Sequence, residues 1–213
     1  MYLCDIGNSN VDFYHDGKVW SLSLSEFQKY TTKERVYYIS VNESVNEWIG
    51  SRKNFIDLEP YFNFDTIYQG LGIDRIAACS AIKDGMVVDA GSAITVDIMA
   101  NGLHLGGFIL PGLMAYQECY KRISPRLDVT INPNVALDAL PQKTKDAISY
   151  GIMKPILMIL QENCKDKHIF FTGGDGQFFS RFFSHSIYDK TLIFRGMQKV
   201  IEASRLEDQG FKD

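Results

Sequence analysis

Two segments of this chain repeat one pattern. Leu3-Cys4-Asp5-Ile6-Gly7-Asn8-Ser9 and Val87-Val88-Asp89-Ala90-Gly91-Ser92-Ala93 each carry an apolar strand into Asp-x-Gly and then a small amide or hydroxyl residue. An apolar-rich run follows each, 11–15 before Asp16-Gly17 and 94–99 before Asn101-Gly102. Asp-Gly and Asn-Gly favour two-residue hairpin turns because both central positions need positive φ. Third strands are predicted at 18–22 and 103–110. Residues 36–41 and 168–172 read as short buried strands, and 144–164 as a helix that Pro155 kinks or truly begins. A hairpin followed by α/β crossovers, twice over, predicts two related α/β lobes with a cleft between them. Their predicted extents are 1–82 and 83–213.

Composition narrows the class. At 213 residues, 46% hydrophobic and 23% charged, the chain can bury a core without staples and is neither disordered nor collagen-like. Its densest apolar stretch, Ile156-Leu157-Met158-Ile159-Leu160, is far short of the roughly 18 residues of a membrane span. Met1-Tyr2-Leu3-Cys4-Asp5 has no basic n-region and no cleavage site, so a cytoplasmic protein is expected. A net charge of −4 with dispersed basic residues gives no footprint for nucleic acid. Cys4, Cys79, Cys119 and Cys164 are far apart and read as free thiols, mostly buried. His15, His104, His168 and His185 show no ligand spacing, so no tightly held transition metal is expected.

The chemistry concentrates at glycine-rich bends. A glycine after a strand lets the backbone approach a ligand, and successive N–H groups can form an anion nest. A carboxylate on such a bend repels phosphate directly but can hold a bridging cation. Asp5 with Gly7, Asn8 and Ser9 therefore reads as a phosphate cradle, and Asp89 with Gly91 and Ser92 as its counterpart; the bland alternative is a pair of turns. Gly70-Leu71-Gly72-Ile73-Asp74-Arg75 is a loop entering a helix with a small face. There Asp74 is either an N-cap or, if it faces a substrate hydroxyl, a general base. Gly106-Gly107 with Pro111-Gly112, and Gly173-Gly174-Asp175-Gly176, place further glycines at strand ends, as plain loops or as ligand cradles. No P-loop signature occurs.

In this order, the motifs resemble the type III pantothenate kinases of the acetate and sugar kinase, heat-shock ATPase and actin superfamily. The resemblance rests on Asp5-Ile6-Gly7-Asn8-Ser9, Gly72-Ile73-Asp74-Arg75, Asp89 to Asp97, Gly106 to Gly112, Thr144 to Ile152 and Thr172 to Gly176. It implies two ribonuclease H-like lobes, a duplicated actin-like ATPase fold with an interlobe active site, and a homodimer. The implied reaction is ATP-dependent phosphorylation of pantothenate, the first step toward coenzyme A. A kinase for another small hydroxyl compound, or a non-catalytic nucleotide binder of the same fold, is the competing expectation. Carried over by position, Asp5, Ile6, Gly7, Asn8, Ser9, Asn10, Val11 and Asp12 would bind ATP, with Asp5 helping to hold Mg2+. Ser92, where the family has threonine, would also contact ATP. Asp74 would be the general base, and Tyr68, Gly72, Ile73, Asp74, Arg75 and Thr144 would contact pantothenate. Asp89 would ligate the monovalent cation, K+ or NH4+, that the family requires.

Overall fold

The computed structural model describes residues 1–206. In chain order the elements are β1 (Tyr2–Ile6), β2 (Asn10–His15), β3 (Lys18–Ser23), α1 (Leu24–Phe27), β4 (Val36–Ser40), α2 (Glu43–Gly50), β5 (Phe55–Asp57) and α3 (Ile73–Ser80). The second half continues with β6 (Gly85–Ala90), β7 (Ala93–Ala100), β8 (Leu103–Pro111), α4 (Leu113–Ile123), α5 (Thr144–Cys164), β9 (Ile169–Thr172), α6 (Gly176–Ser180), β10 (Ser186–Tyr188) and α7 (Leu192–Ser204).

The repeat seen in the sequence is a repeat of topology. One five-stranded sheet has the order β3-β2-β1-β4-β5; the other, β10-β9-β6-β7-β8, is the same order read from its opposite edge. In the first sheet β1 and β2 pair antiparallel, as do β2 and β3, whereas β4 lies parallel to both β1 and β5. In the second sheet β9 is parallel to both β6 and β10. The hairpin turns are set by their residues. Asp16-Gly17 have φ of 45° and 80°, and Asn101-Gly102 of 51° and 80°, the left-handed pair that such turns require. The reading of 36–41 and 168–172 as short buried strands is met by β4 and β9, whose residues are mostly buried and which lie inside their sheets.

Two compact units interleave along the chain. The first contains Met1–Asp84, Asp97–Gly106 and the described residues from Asp189 onward; the second contains Gly85–Val96 and Gly107–Tyr188. The sequence repeat restarts near residue 83, but compactness joins the two ends of the chain. Phe194, Met197 and Ile201 line one face of α7 and pack with Ile73 and Ala77 of α3, and with Leu3, Tyr37 and Ile39 of the sheet. At about 1.5–3 kcal/mol for each large apolar side chain buried, this helix is a main source of stability for the first unit. Gly196 lies so close to the Ala77 backbone that no Cβ fits there. Any side chain at 196 would push α7 off α3.

Pro155 neither starts nor ends a helix. α5 runs continuously from Thr144 to Cys164 through it. The proline removes an N–H and leaves the Gly151 carbonyl without its usual partner, but both residues face solvent, where water can serve that carbonyl. Ile148, Ile152, Ile156 and Leu160, spaced by four, are buried along the other face and hold the helix in register.

Candidate active site

The first Asp-x-Gly bend joins β1 to β2. Gly7 N–H donates to the Asn10 carbonyl at 3.0 Å, so Gly7 contributes closeness of backbone and not a free donor. Ile6 and Val11 are buried in the core, so within 5–12 these two can meet a ligand only through their backbone. Asn8, Ser9 and Asn10 are exposed. Asp5 and Asp12 are direct cross-strand partners. Like charges placed so repel one another, an arrangement that favours a bound cation. Burial, with their field adding to it, pushes the neighbouring Cys4 thiol up. Asp12 also accepts a hydrogen bond from the Ser21 hydroxyl. Asn42, which the sequence motifs did not single out, is buried; its side-chain amide donates to the Gly7 carbonyl at 3.2 Å while its Oδ1 caps α2 through Ser44 N–H. It thereby ties the bend to the first turn of that helix.

Asp74 is not the N-cap of α3. The helix begins at Ile73 and Gly72 occupies the capping position without a side-chain bond. Asp74 sits in the first turn, half-buried, with Oδ1 accepting the Arg75 N–H at 2.8 Å. Burial raises its pKa, the Asp97 charge adds to the rise, and Arg75 opposes it through both its backbone N–H and its charge. A Cβ on Gly72 would come within 2.5 Å of Asp74 Oδ1, so the glycine leaves room for that carboxylate. Ile73 packs into the core and offers only its backbone.

Arg75 is held at several points. Its Nε donates to Asp97 Oδ2 at 2.9 Å and its Nη2 to Asp97 Oδ1 at 2.7 Å, a two-point pair with both side chains buried. His104 Nε2 approaches the same Asp97 Oδ1 at 2.7 Å, and its Nδ1 lies 2.7 Å from Thr66 Oγ1. Tyr68 receives a hydrogen bond from Arg75 Nη1 at 3.4 Å, and its ring lies 4.9 Å beneath the guanidinium. Asp97, His104 and Thr66 had no assigned role in the sequence. Residue spacing gave no signal, since 66, 75, 97 and 104 meet only after folding.

Cys79 Sγ, an Asp97 oxygen and a His104 nitrogen also lie within 4.8 Å of one another, a geometry that three metal ligands could share. The guanidinium already engages both Asp97 oxygens, and burial pushes the Cys79 thiol up, its proton held more firmly still by the Asp97 charge. A cation would have to displace Arg75. The cluster is therefore a hydrogen-bonded ion network.

In the second unit, the second bend repeats the first. Gly91 N–H donates to the Ala93 carbonyl at 2.9 Å, and Ser92 is exposed at its tip. Gly112 N–H donates to the Ser92 carbonyl at 3.1 Å, and Gly112 is packed so closely under the bend that a Cβ would overlap Gly91 and Ser92. Asp89, at the end of β6, faces Gly173. That glycine has φ of 80°, and a Cβ on it would overlap the Asp89 carboxylate and the Ala90 carbonyl. The result is an oxygen-lined cradle that only glycine leaves open. Thr144, first residue of α5, lines a shallow concavity of about 510 Å³ with Tyr120, Leu127, Lys143, Ala147 and Ile148. That concavity lies in the second unit, whereas Asp74 and Arg75 lie in the first.

Known proteins resemble this chain along its length. A profile of the type III pantothenate kinase family matches residues 41–165. A type III pantothenate kinase of Campylobacter jejuni serotype O:2 is 57% identical over 202 residues, covering 95% of this chain and 97% of that protein. The crystal structure of a conserved Campylobacter jejuni protein assigned to a Baf family of transcriptional activators is 54% identical and superposes with a TM-score of 0.91, over 97% of this chain and all of that one. A 2-dehydro-3-deoxygalactonokinase-type protein from Sinorhizobium meliloti is only 10% identical, covering 95% of this chain and 96% of its own, and at a TM-score of 0.57 shares the fold alone.

Proposed function

Because the chain belongs to the type III pantothenate kinase family, it phosphorylates pantothenate with ATP in the first step of coenzyme A biosynthesis, and we propose that Asp74 is the general base of that transfer. The observation that carries this assignment is the environment of the Asp74 carboxylate. It is half-buried at the start of α3, shares that turn with Gly72 and Arg75, and has its pKa raised by desolvation, which strengthens it as a proton acceptor. In the proposed step the primary hydroxyl oxygen of pantothenate attacks the γ-phosphorus as the bond to the β-phosphate oxygen breaks. ADP leaves, and the hydroxyl proton goes to Asp74. The work asked of the protein is positioning and charge neutralisation.

The remaining assignments follow the same reading. Asp5 to Asp12 and Ser92 contact ATP at the two bends, with Ile6 and Val11 acting through their backbone. Tyr68, Gly72, Ile73, Asp74 and Arg75 contact pantothenate, joined by Thr144 at the edge of its concavity. The Asp5–Asp12 pair supports a divalent ion at the first bend, and the cradle of Asp89, Ala90 and Gly173 supports a monovalent ion, since both offer hard oxygen donors. When bound, Mg2+ and K+ or NH4+ neutralise phosphate charge. A homodimer is supported by α4, none of whose residues is buried and whose Met114 and Ile123 are 77% and 66% exposed. No helix among the described residues is long and apolar enough to cross a membrane, in keeping with the proposed cytoplasmic location.

The test is ADP release from Mg-ATP, with and without pantothenate, in potassium, ammonium and sodium buffers. Turnover is expected only with pantothenate and to be strongest in potassium or ammonium. Release independent of pantothenate would overturn the substrate assignment. A second measurement probes the cradle around Asp89. Gly173→Ala should lower potassium-stimulated turnover by about tenfold or more, because its methyl group would displace the Asp89 carboxylate and the Ala90 carbonyl. An unaltered potassium response in that variant would remove Asp89 from the cation role.

A further inference from the structure

Five residues of the first unit close a ring of hydrogen bonds, one of them through the Tyr68 backbone N–H, that the reaction itself does not explain. Arg75 donates to Asp97, His104 meets Asp97 and Thr66, Thr66 Oγ1 accepts the Tyr68 N–H at 3.0 Å, and the Tyr68 hydroxyl accepts from Arg75. Asp97 beside a guanidinium is an acceptor only, so His104 Nε2 carries the hydrogen of that contact. The other ring nitrogen is engaged by Thr66, and the residue is 4% exposed. His104 therefore has no atom left with which to touch a substrate.

Its neighbours show what it holds. Residues 62, 64, 66 and 68 are half-buried while 63, 65, 67 and 69 are exposed, the two-residue period of an extended segment with one face inward. Three of the four inward residues converge on His104. Thr66 bonds it and pairs with its backbone, and the Phe64 and Tyr68 rings lie 5.7 and 6.0 Å from its imidazole. The segment leads directly into Gly70-Leu71-Gly72, where two glycines give little conformational restraint, and Gly70 takes φ of 73°.

We infer that His104 is a positioning residue for pantothenate recognition: it fixes Tyr68 through Thr66 and Arg75 through Asp97, so that the loop and α3 present their side chains in one relative placement. This rests on the reading that Tyr68 and Arg75 contact pantothenate. A rigid imidazole suits the task because it offers two hydrogen-bonding atoms on opposite edges. Glutamine can replace only the arm toward Asp97, and phenylalanine neither.

Steady-state kinetics with pantothenate and ATP varied separately test the inference. His104→Phe should raise the pantothenate KM about 10- to 100-fold, with the ATP KM changed by less than about twofold, as expected when a binding group is displaced by about an ångström. His104→Gln should recover a substantial part of the loss. Thr66→Val, nearly isosteric and only half-buried, should raise the pantothenate KM in the same selective way, and decides the matter if His104→Phe does not fold. An unchanged pantothenate KM in both His104→Phe and Thr66→Val overturns the inference. So does a parallel loss in the ATP KM, kcat and melting temperature, which would mark a merely structural role. Tyr68→Ala separates this outcome from failure of the underlying reading. If that variant also leaves the pantothenate KM unchanged, Tyr68 is not a substrate contact; if it raises the KM while His104 and Thr66 variants do not, only the positioning role fails.

Discussion

Replacing Asp74 by Asn should lower kcat by about 10²–10⁴ while leaving the protein folded, the loss typical of removing a general base. The substitution keeps an oxygen that can accept the Arg75 N–H, so the helix start survives. It also removes a cost. Burial raises the Asp74 pKa, so the folded chain binds this proton more tightly than the unfolded chain does. The penalty of ionising it is absent below the unfolded value of about 3.8 and reaches its full size once the pH exceeds the raised folded value. At neutral pH the wild-type protein carries that penalty and the Asn variant does not. The melting temperature of Asp74→Asn should therefore equal or exceed that of wild type at pH 7, with the difference shrinking toward acid. Turnover within threefold of wild type would sink the assignment of Asp74 as base; a large fall in melting temperature would mean the carboxylate is structural.

The largest effect on stability is expected at Asp97. Asp97→Ala strands the Arg75 guanidinium in a buried site and removes a partner from His104, and breaking one side of such a pair costs about 3–5 kcal/mol. Removing both charges together as Arg75→Met with Asp97→Leu should cost clearly less than Asp97→Ala alone, because no unpaired charge remains. Urea unfolding of the three proteins measures this. A single Asp97→Ala loss below about 1 kcal/mol would show that water reaches the network and that its charges are not isolated.

The parts of this molecule that sequence reading reached share a physical reason. Asp-Gly and Asn-Gly specify a backbone that few other pairs can adopt, so both hairpins follow from local residues. The long helix from Thr144 is legible for the same reason, its apolar positions being periodic. Where several partners act at once, local reasoning stops short. Pro155 looks like a kink or a true start until the exposed surroundings of Gly151 are known. Asp74 resembles a cap until Gly72 is found in that place, one consequence of the helix beginning at Ile73. His104 is invisible beforehand because its two partners arrive from a separate loop and from the other strand of its hairpin. Asn42 is hidden likewise, since its bond to Gly7 crosses from one loop to another.

The packing of α7 on α3 also bears on how the protein is made. A ribosome releases the segment carrying Asp74 well before the segment carrying Gly196, yet these two form one face of the first unit's core. Until α7 has been made, Ile73, Leu3 and Tyr37 lack the apolar partners supplied by Phe194, Met197 and Ile201. The second unit, whose described residues all lie between Gly85 and Tyr188, has its full sequence before then. Nascent chains of this protein thus expose the surface beneath the proposed base until α7 emerges and covers it.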